Sequence, residues 1–139
     1  MARRFQPAVE VVRRSIDAYN SRDLEAWLAE CDPELEVDWS SSRGPDARIY
    51  RGRREASAFV ETWFELFERI TIEPETFIQF DGRVLVPNWA EMKGRDGIET
   101  AARSCLVYEF SDGRISRIRL HQDISEAIGT LGRHGDRAG

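Results

Sequence analysis

Residues 56–93 read ASAFVETWFELFERITIEPETFIQFDGRVLVPNWAEMK, and the period of their apolar positions changes partway along. Ala56, Phe59, Val60, Trp63, Leu66, Phe67 and Ile70 recur at three- and four-residue intervals. That is the stripe of an amphipathic helix, and it predicts about five turns. After Ile70 the period becomes two, the spacing of a half-buried strand. Strands are expected at about 71–80, 83–93, 99–110 and 114–123, with Asp81-Gly82 and Asp112-Gly113 as hairpin turns. Gly94-Arg95-Asp96-Gly97 links the middle pair. Turns this short force antiparallel pairing. A long helix followed by an antiparallel meander is an α+β layer arrangement. Strand twist should curl the sheet around the long helix and leave a cone-shaped cavity at the open end.

Upstream, a helix pair is expected. Pro7 suits a first-turn position, and Val9, Val12, Ile16 and Tyr19 follow at helical spacing. Asn20-Ser21-Arg22 breaks the first helix, and Asp23 or Ser21 can cap a second, with Leu24, Trp27, Leu28 and Cys31 on one stripe. That helix must stop near Asp32, because the residue before Pro33 is pushed out of the α region. Leu35 to Trp39 alternates as a strand, and Ser40 to Arg51 reads as a long polar loop of the kind that serves as a lid or binding loop. Ser125 to Leu131 reads as a short terminal helix, and 133–139 as frayed.

The chain has 139 residues, 41% hydrophobic and 32% charged, which fits one domain over 1–139 with its core at about 8–132. A formal net charge of −5 with no basic face argues against nucleic acid. No apolar run nears the roughly 18 residues of a membrane span, and the N-terminus lacks the form of a secretory signal. Cys31 and Cys105 make neither a metal spacing nor a disulfide framework, so a cytoplasmic location is expected. His121 and His134 are the only histidines, with no metal-binding spacing, and no cofactor is called for. No nucleophile elbow and no phosphate loop occur.

Arg43, Arg48, Arg51, Arg53 and Arg54 crowd the loop and the following helix start, either as an anion-binding rim or as a solvated face paired with Asp46 and Glu55. Trp27, Trp39, Trp63 and Trp89 lie on apolar faces where a core role is the default; Trp39, beside the long loop, is best placed to line a pocket. On the last strand, His121 and Asp123 share one face by parity, as an acid/base pair would. Ile118 and Leu120 take the opposite face and look like the core side, which would turn His121 and Asp123 outward unless a bulge or the strand's end redirects them.

Four segments carry a family resemblance: Tyr19-Asn20-x-x-Asp23-Leu24-Glu25, Asp32-Pro33, Tyr50-Arg51-Gly52-Arg53 and Asp112-Gly113-Arg114-Ile115. Over about residues 8–132 the chain resembles the SnoaL-like branch of the nuclear transport factor 2-like superfamily. The resemblance implies a cone-shaped curved antiparallel sheet wrapped around a long helix with an N-terminal helix pair, and usually a homodimer. Relatives include cyclases, isomerases, dehydratases, epoxide hydrolases and noncatalytic domains, so fold alone leaves activity open. The steroid-isomerase pattern falls on Ser15, Trp39 and a position near Leu106, all departures. The cyclase pattern matches at Asp123, ahead of Leu131-Gly132, and departs at Thr130. Two readings stay open. One is cofactor-independent acid/base catalysis on a small apolar carbonyl or polyketide-like substrate, with Asp123 and His121 catalytic and Tyr19, Trp39, Trp63 and Trp89 lining the pocket. The other is a noncatalytic ligand-binding or dimeric assembly domain.

Overall fold

The computed structural model describes residues 7–129. The chain runs α1 (Pro7–Asn20), α2 (Leu24–Ala29), β1 (Cys31–Asp38), β2 (Ile49–Arg51), α3 (Gly52–Leu66), β3 (Phe67–Pro74), β4 (Ile78–Phe80), β5 (Arg83–Gly94), β6 (Glu99–Ser111) and β7 (Arg114–His121). A further short helix occupies 124–129. The part of the terminal-helix expectation that involves Leu131, and the frayed 133–139, lie outside the described residues.

The strands form one sheet in the order β2-β1-β7-β6-β5-β3, with β4 also on β5. The two hairpins that the Asp-Gly pairs announce are present, because Asp81 (φ 53°) and Gly82 (φ 75°), like Asp112 (φ 52°) and Gly113 (φ 80°), take the left-handed conformations of a primed turn. The sheet is mixed rather than wholly antiparallel: β1 runs parallel to β7, with Glu36 beside Arg117 and Asp38 beside Arg119. Its concave face packs on α1 and α3. Val84 and Val86, Leu106 and Tyr108, and Ile118 and Leu120 meet Val12, Ile16, Phe59 and Val60 there in one core.

Four boundaries differ from the sequence expectation. Strand β1 begins at Cys31, which leaves the helical stripe; Pro33 is accommodated at an irregularity in the β1–β7 register between Cys31 and Glu36. Part of the expected loop pairs with β1 as β2, with Tyr50 opposite Val37. The long helix stops at Leu66, which is 60% exposed, while Ile70 is buried on β3. The expected strand at 71–80 divides into β3 and β4, both antiparallel to β5.

The long helix ends where it does because of the corner between α1 and α2. Arg22, itself left-handed at φ 58°, donates to the carbonyls of Phe64 (2.6 Å), Phe67 (2.7 Å) and Glu68 (2.7 Å). It satisfies carbonyls that the helix end would leave unpaired. Asn20 acts as a strand surrogate on the edge of β3: its Nδ2 donates to Ile72 O (2.9 Å) and its Oδ1 accepts from Ile72 N (2.8 Å). Asp23 caps α2 by accepting from Ala26 N at 3.0 Å. The 19–25 segment thus ties both N-terminal helices to the sheet edge and to α3.

The convex face carries two different surfaces. Over β5 and β6, Leu85, Cys105 and Val107 are covered by Ile124 and Ala127 of the last helix. Over β1 and β7, charges alternate: Arg117 meets Glu36 at 3.0 Å and Asp38 at 3.4 Å, Arg119 meets Asp38 at 3.5 Å, and Arg51 meets Glu36 at 3.3 Å. Burial pushes the Asp38 carboxyl up, but hydrogen bonds from Ser40 and the charges of Arg119 and Arg117 outweigh it and hold Asp38 below its ordinary value. No helix among the described residues is long and apolar enough to cross a membrane.

Replacing Asn20 by Ala leaves the Ile72 N–H and C=O without their surrogate partner. The expected loss is about 1–2 kcal/mol of unfolding free energy. Urea denaturation should show a lower midpoint with an unchanged slope; an unchanged midpoint would mean that the edge of β3 does not depend on Asn20.

Candidate functional site

Between the concave face of the sheet, α1 and α3 lies a cavity of about 270 Å³. Its walls are mostly apolar. Ile16 and Tyr19 come from α1, Phe59, Val60 and Trp63 from α3, and Val37 and Trp39 from β1 and the loop after it. Trp27 of α2, Ile70 and Ile72 of β3, Ala90 and Met92 of β5, Ala102 and Leu106 of β6, and Ile118 and Leu120 of β7 complete them. The aromatic wall is braced ring on ring. Phe59 stacks on Tyr50 (4.1 Å between centroids) and meets Trp39 (5.4 Å) and Trp63 (6.0 Å) edge-on, while Trp63 stacks on Phe67 (5.5 Å).

Polar groups inside the cavity are few and neutral. Ser15 donates to Val12 O at 2.7 Å and stands beside the Tyr108 hydroxyl, whose ionisation it eases slightly against the effect of burial. Tyr19, one helical turn after Ser15, lies near enough to Tyr108 to perturb its ionisation. Burial drives both phenols well above their ordinary range, so they remain protonated. Farther along β5, Asn88 is fully buried and donates to Val86 O at 2.9 Å and to Ser104 O at 3.4 Å. At the solvent end stand Ser42, Arg43, Arg103 and Gln122.

The candidate residues separate into two groups. Tyr19, Trp39 and Trp63 line the cavity. Trp89 does not; it lies on the convex face, 42% exposed, with the Arg103 guanidinium over its ring at 5.9 Å. His121 and Asp123 are also away from the cavity. Strand alternation turns Leu120 and Gln122 inward and His121 outward, where it is buried and its Nδ1 lies 3.0 Å from Glu126 Oε1. Asp123 is exposed beyond the end of β7, and its Oδ1 accepts from Glu126 N at 2.8 Å. It caps the 124–129 helix, and no bulge returns it to the interior. Neither His121 nor Asp123 is among the residues that line this cavity.

The arginine-rich segment is dispersed as well. Arg48 pairs with Glu55 (3.4 Å), Arg51 with Glu36 (3.3 Å), and Arg53 donates to Leu28 O (3.2 Å) and Cys31 O (2.6 Å). Among the described residues no cluster of His, Cys, Asp and Glu could hold a metal. Both thiols are buried and free, and burial pushes Cys31 up to about 12 and Cys105 up to about 11, far from nucleophilic ionisation.

The interior polar residues were not singled out as a site from sequence. Tyr108 has the parity of Leu106 and could have been found by alternation along β6, and Asn88 is an amide within an apolar strand, a sign of a buried polar contact. Ser15 and Gln122 carry no local signal beyond the faces they occupy.

The capping role of Asp123 has a direct consequence. Asp123→Ala should cost about 1 kcal/mol of stability, the usual worth of such a cap, and leave binding in the cavity unchanged. Thermal unfolding with and without a cavity ligand checks both; a loss of binding at unchanged stability would return Asp123 to the site.

The SnoaL-like domain family matches this chain over residues 12–118. No curated protein is similar in sequence at a significant level. Among solved structures, a nuclear transport factor 2-like protein of unknown function from Burkholderia pseudomallei is similar, with 23% identity and a TM-score of 0.74 over 88% of this chain and 95% of that one. A Δ5-3-ketosteroid isomerase from a Mycobacterium species has 21% identity and a TM-score of 0.73 over 86% and 95%. A Mycobacterium tuberculosis protein in complex with estradiol-17β-hemisuccinate has 19% identity and a TM-score of 0.75 over 86% and 96%. These identities speak for the fold and not for activity. The chain belongs to the SnoaL-like family, with the nuclear transport factor 2-like fold.

Proposed function

We propose that this protein binds a small, rigid, largely apolar molecule with a hydroxyl at its inner end, and holds it without general-base chemistry. The observation behind this reading is the make-up of the cavity wall. Among the described residues that line it there is no Asp, Glu, His, Cys or Lys. Proton abstraction needs a group that is unprotonated near neutral pH and within reach of the substrate, and a buried tyrosine is not one. A cyclase or isomerase reading would need Asp123 or His121 inside, and both are engaged on the other side of the sheet.

The inner end suits a neutral guest. The Tyr108 hydroxyl, with its proton retained, still has an oxygen that can accept, and the Tyr19 hydroxyl, with no hydrogen-bond partner among the described residues, can donate. A ligand hydroxyl meets both demands at once. The apolar wall supplies affinity, and the volume of about 270 Å³ is close to the lower end, about 300 Å³, of ordinary ligand sites. The steroid ester held by the Mycobacterium tuberculosis neighbour supports a rigid apolar guest, though the contacts there belong to that protein.

Comparison of naphthalene with 2-naphthol tests this. The two share a skeleton and differ by one hydroxyl. Intrinsic fluorescence or calorimetry should show 2-naphthol binding about threefold to tenfold tighter. Tyr19→Phe should erase that advantage while leaving naphthalene unchanged. Equal affinity of the two in the native protein, or no binding of either, would overturn the reading.

The homodimer and the cytoplasmic location are kept as parts of the same proposal. The two free thiols accord with a reducing compartment. For the dimer, the contact is placed on the convex face beyond the 124–129 helix, because Val107 and Cys105 are already covered within the chain while Trp89 is not. Light scattering at micromolar protein should give twice the chain mass, and Trp89→Glu should halve it; a native monomer mass would remove the dimer.

A further inference from the structure

We propose that the ligand also carries an acid group, and that Arg43 binds this anion at the open end of the cavity while the apolar body and the neutral hydroxyl lie within; the assignment rests on the cavity being a ligand site. Two of the residues lining the cavity are charged, Arg43 and Arg103. Arg103 is already neutralised by a forked pair to Glu75, 2.8 Å at each arm. Arg43 has no hydrogen bond, ion pair or ring contact among the described residues. It differs in this from Arg48, Arg51 and Arg53 nearby, each of which is held by a carboxylate or by carbonyls.

The loop fixes the backbone on both sides of Arg43. Ser42 N donates to Trp39 O (3.0 Å), Ser42 Oγ to Asp46 Oδ1 (2.8 Å), and Gly44 N to Ser42 Oγ (3.1 Å). Gln122, another residue of the cavity wall, reaches out of β7 to donate to Ser41 O. An exposed guanidinium is therefore presented at a defined rim rather than on a free loop.

The interior gives the acid one place to go. A carboxylate or sulfonate among Phe59, Trp63, Leu106 and Ile118 would lose its hydration and meet no cation. At the rim it keeps part of its water and meets the planar fork of Arg43, which is shaped for two-oxygen anions. The ligand would then enter with its neutral end first and its charge last.

Two fluorescent probes with one skeleton separate these claims: 8-anilino-1-naphthalenesulfonate, an anion, and N-phenyl-1-naphthylamine, its neutral counterpart. In low salt the native protein should bind the sulfonate at least about fivefold tighter, a gap that narrows as salt screens the rim. Arg43→Gln should abolish the gap by weakening the sulfonate alone, and Arg43→Lys should keep part of it. Excess 2-naphthol should displace both probes. If both are displaced yet bind equally, or if Arg43→Gln leaves the preference intact, the anion assignment is overturned and the binding site stands. If neither probe binds, or 2-naphthol displaces neither, the cavity reading falls and the assignment falls with it.

Discussion

Side-chain alternation along the long strands is the constraint on which the rest of this protein depends. Each residue of β5, β6 and β7 must face either α3 or the convex side, and its neighbour must do the opposite. Leu106, Tyr108, Ile118 and Leu120 are inside because they share one parity across the paired strands. Cys105, Val107, Arg119 and His121 are outside for the same reason. A slip of one residue would place an arginine ladder against Phe59 and expose the core. The charged pairs of Glu36 and Asp38 with Arg117 and Arg119 work against such a slip, since they form only in this register.

That alternation sorts chemistry as well as polarity. Every carboxylate on the central strands lies on the convex side or at an edge, and the cavity receives hydroxyls and the amides of Asn88 and, toward the rim, Gln122. In a low-dielectric interior this favours neutral partners: a phenol that stays protonated can hydrogen-bond a guest at little cost, whereas a buried carboxylate would need a compensating cation. The absence of a base among the described lining residues and the presence of paired hydroxyls at the inner end belong to one arrangement. The exposed arginine at the rim complements it, since charge is tolerated where water remains.

Local features were legible from sequence and nonlocal ones were not. The Asp-Gly turns, the α1 stripe and the change of period after the long helix all depend on neighbours within a few residues. The helix end at Leu66 depends on Arg22, more than forty positions away in the chain, whose guanidinium takes the terminal carbonyls. The parallel β1–β7 pairing depends on the two ends of the fold meeting, and the β2 pairing on the loop folding back over β1. At the site, Trp39, Tyr19 and Trp63 could be placed from the faces they occupy. His121 and Asp123 could not, because a His and an Asp two apart on a strand read equally as an acid/base pair and as a helix latch. Alternation already opposed them to Ile118 and Leu120, and in the structure Asp123 accepts from Glu126 N rather than facing the cavity.

The most direct measurement is a crystal structure of the protein grown with 2-naphthol. The bicycle is expected inside the cavity, between Trp63 and Leu106, with its oxygen within hydrogen-bond reach of the Tyr19 and Tyr108 hydroxyls and with Asp123 still on Glu126 N. A ligand bound outside the cavity, or one inside with Asp123 or His121 turned in to meet it, would contradict the account.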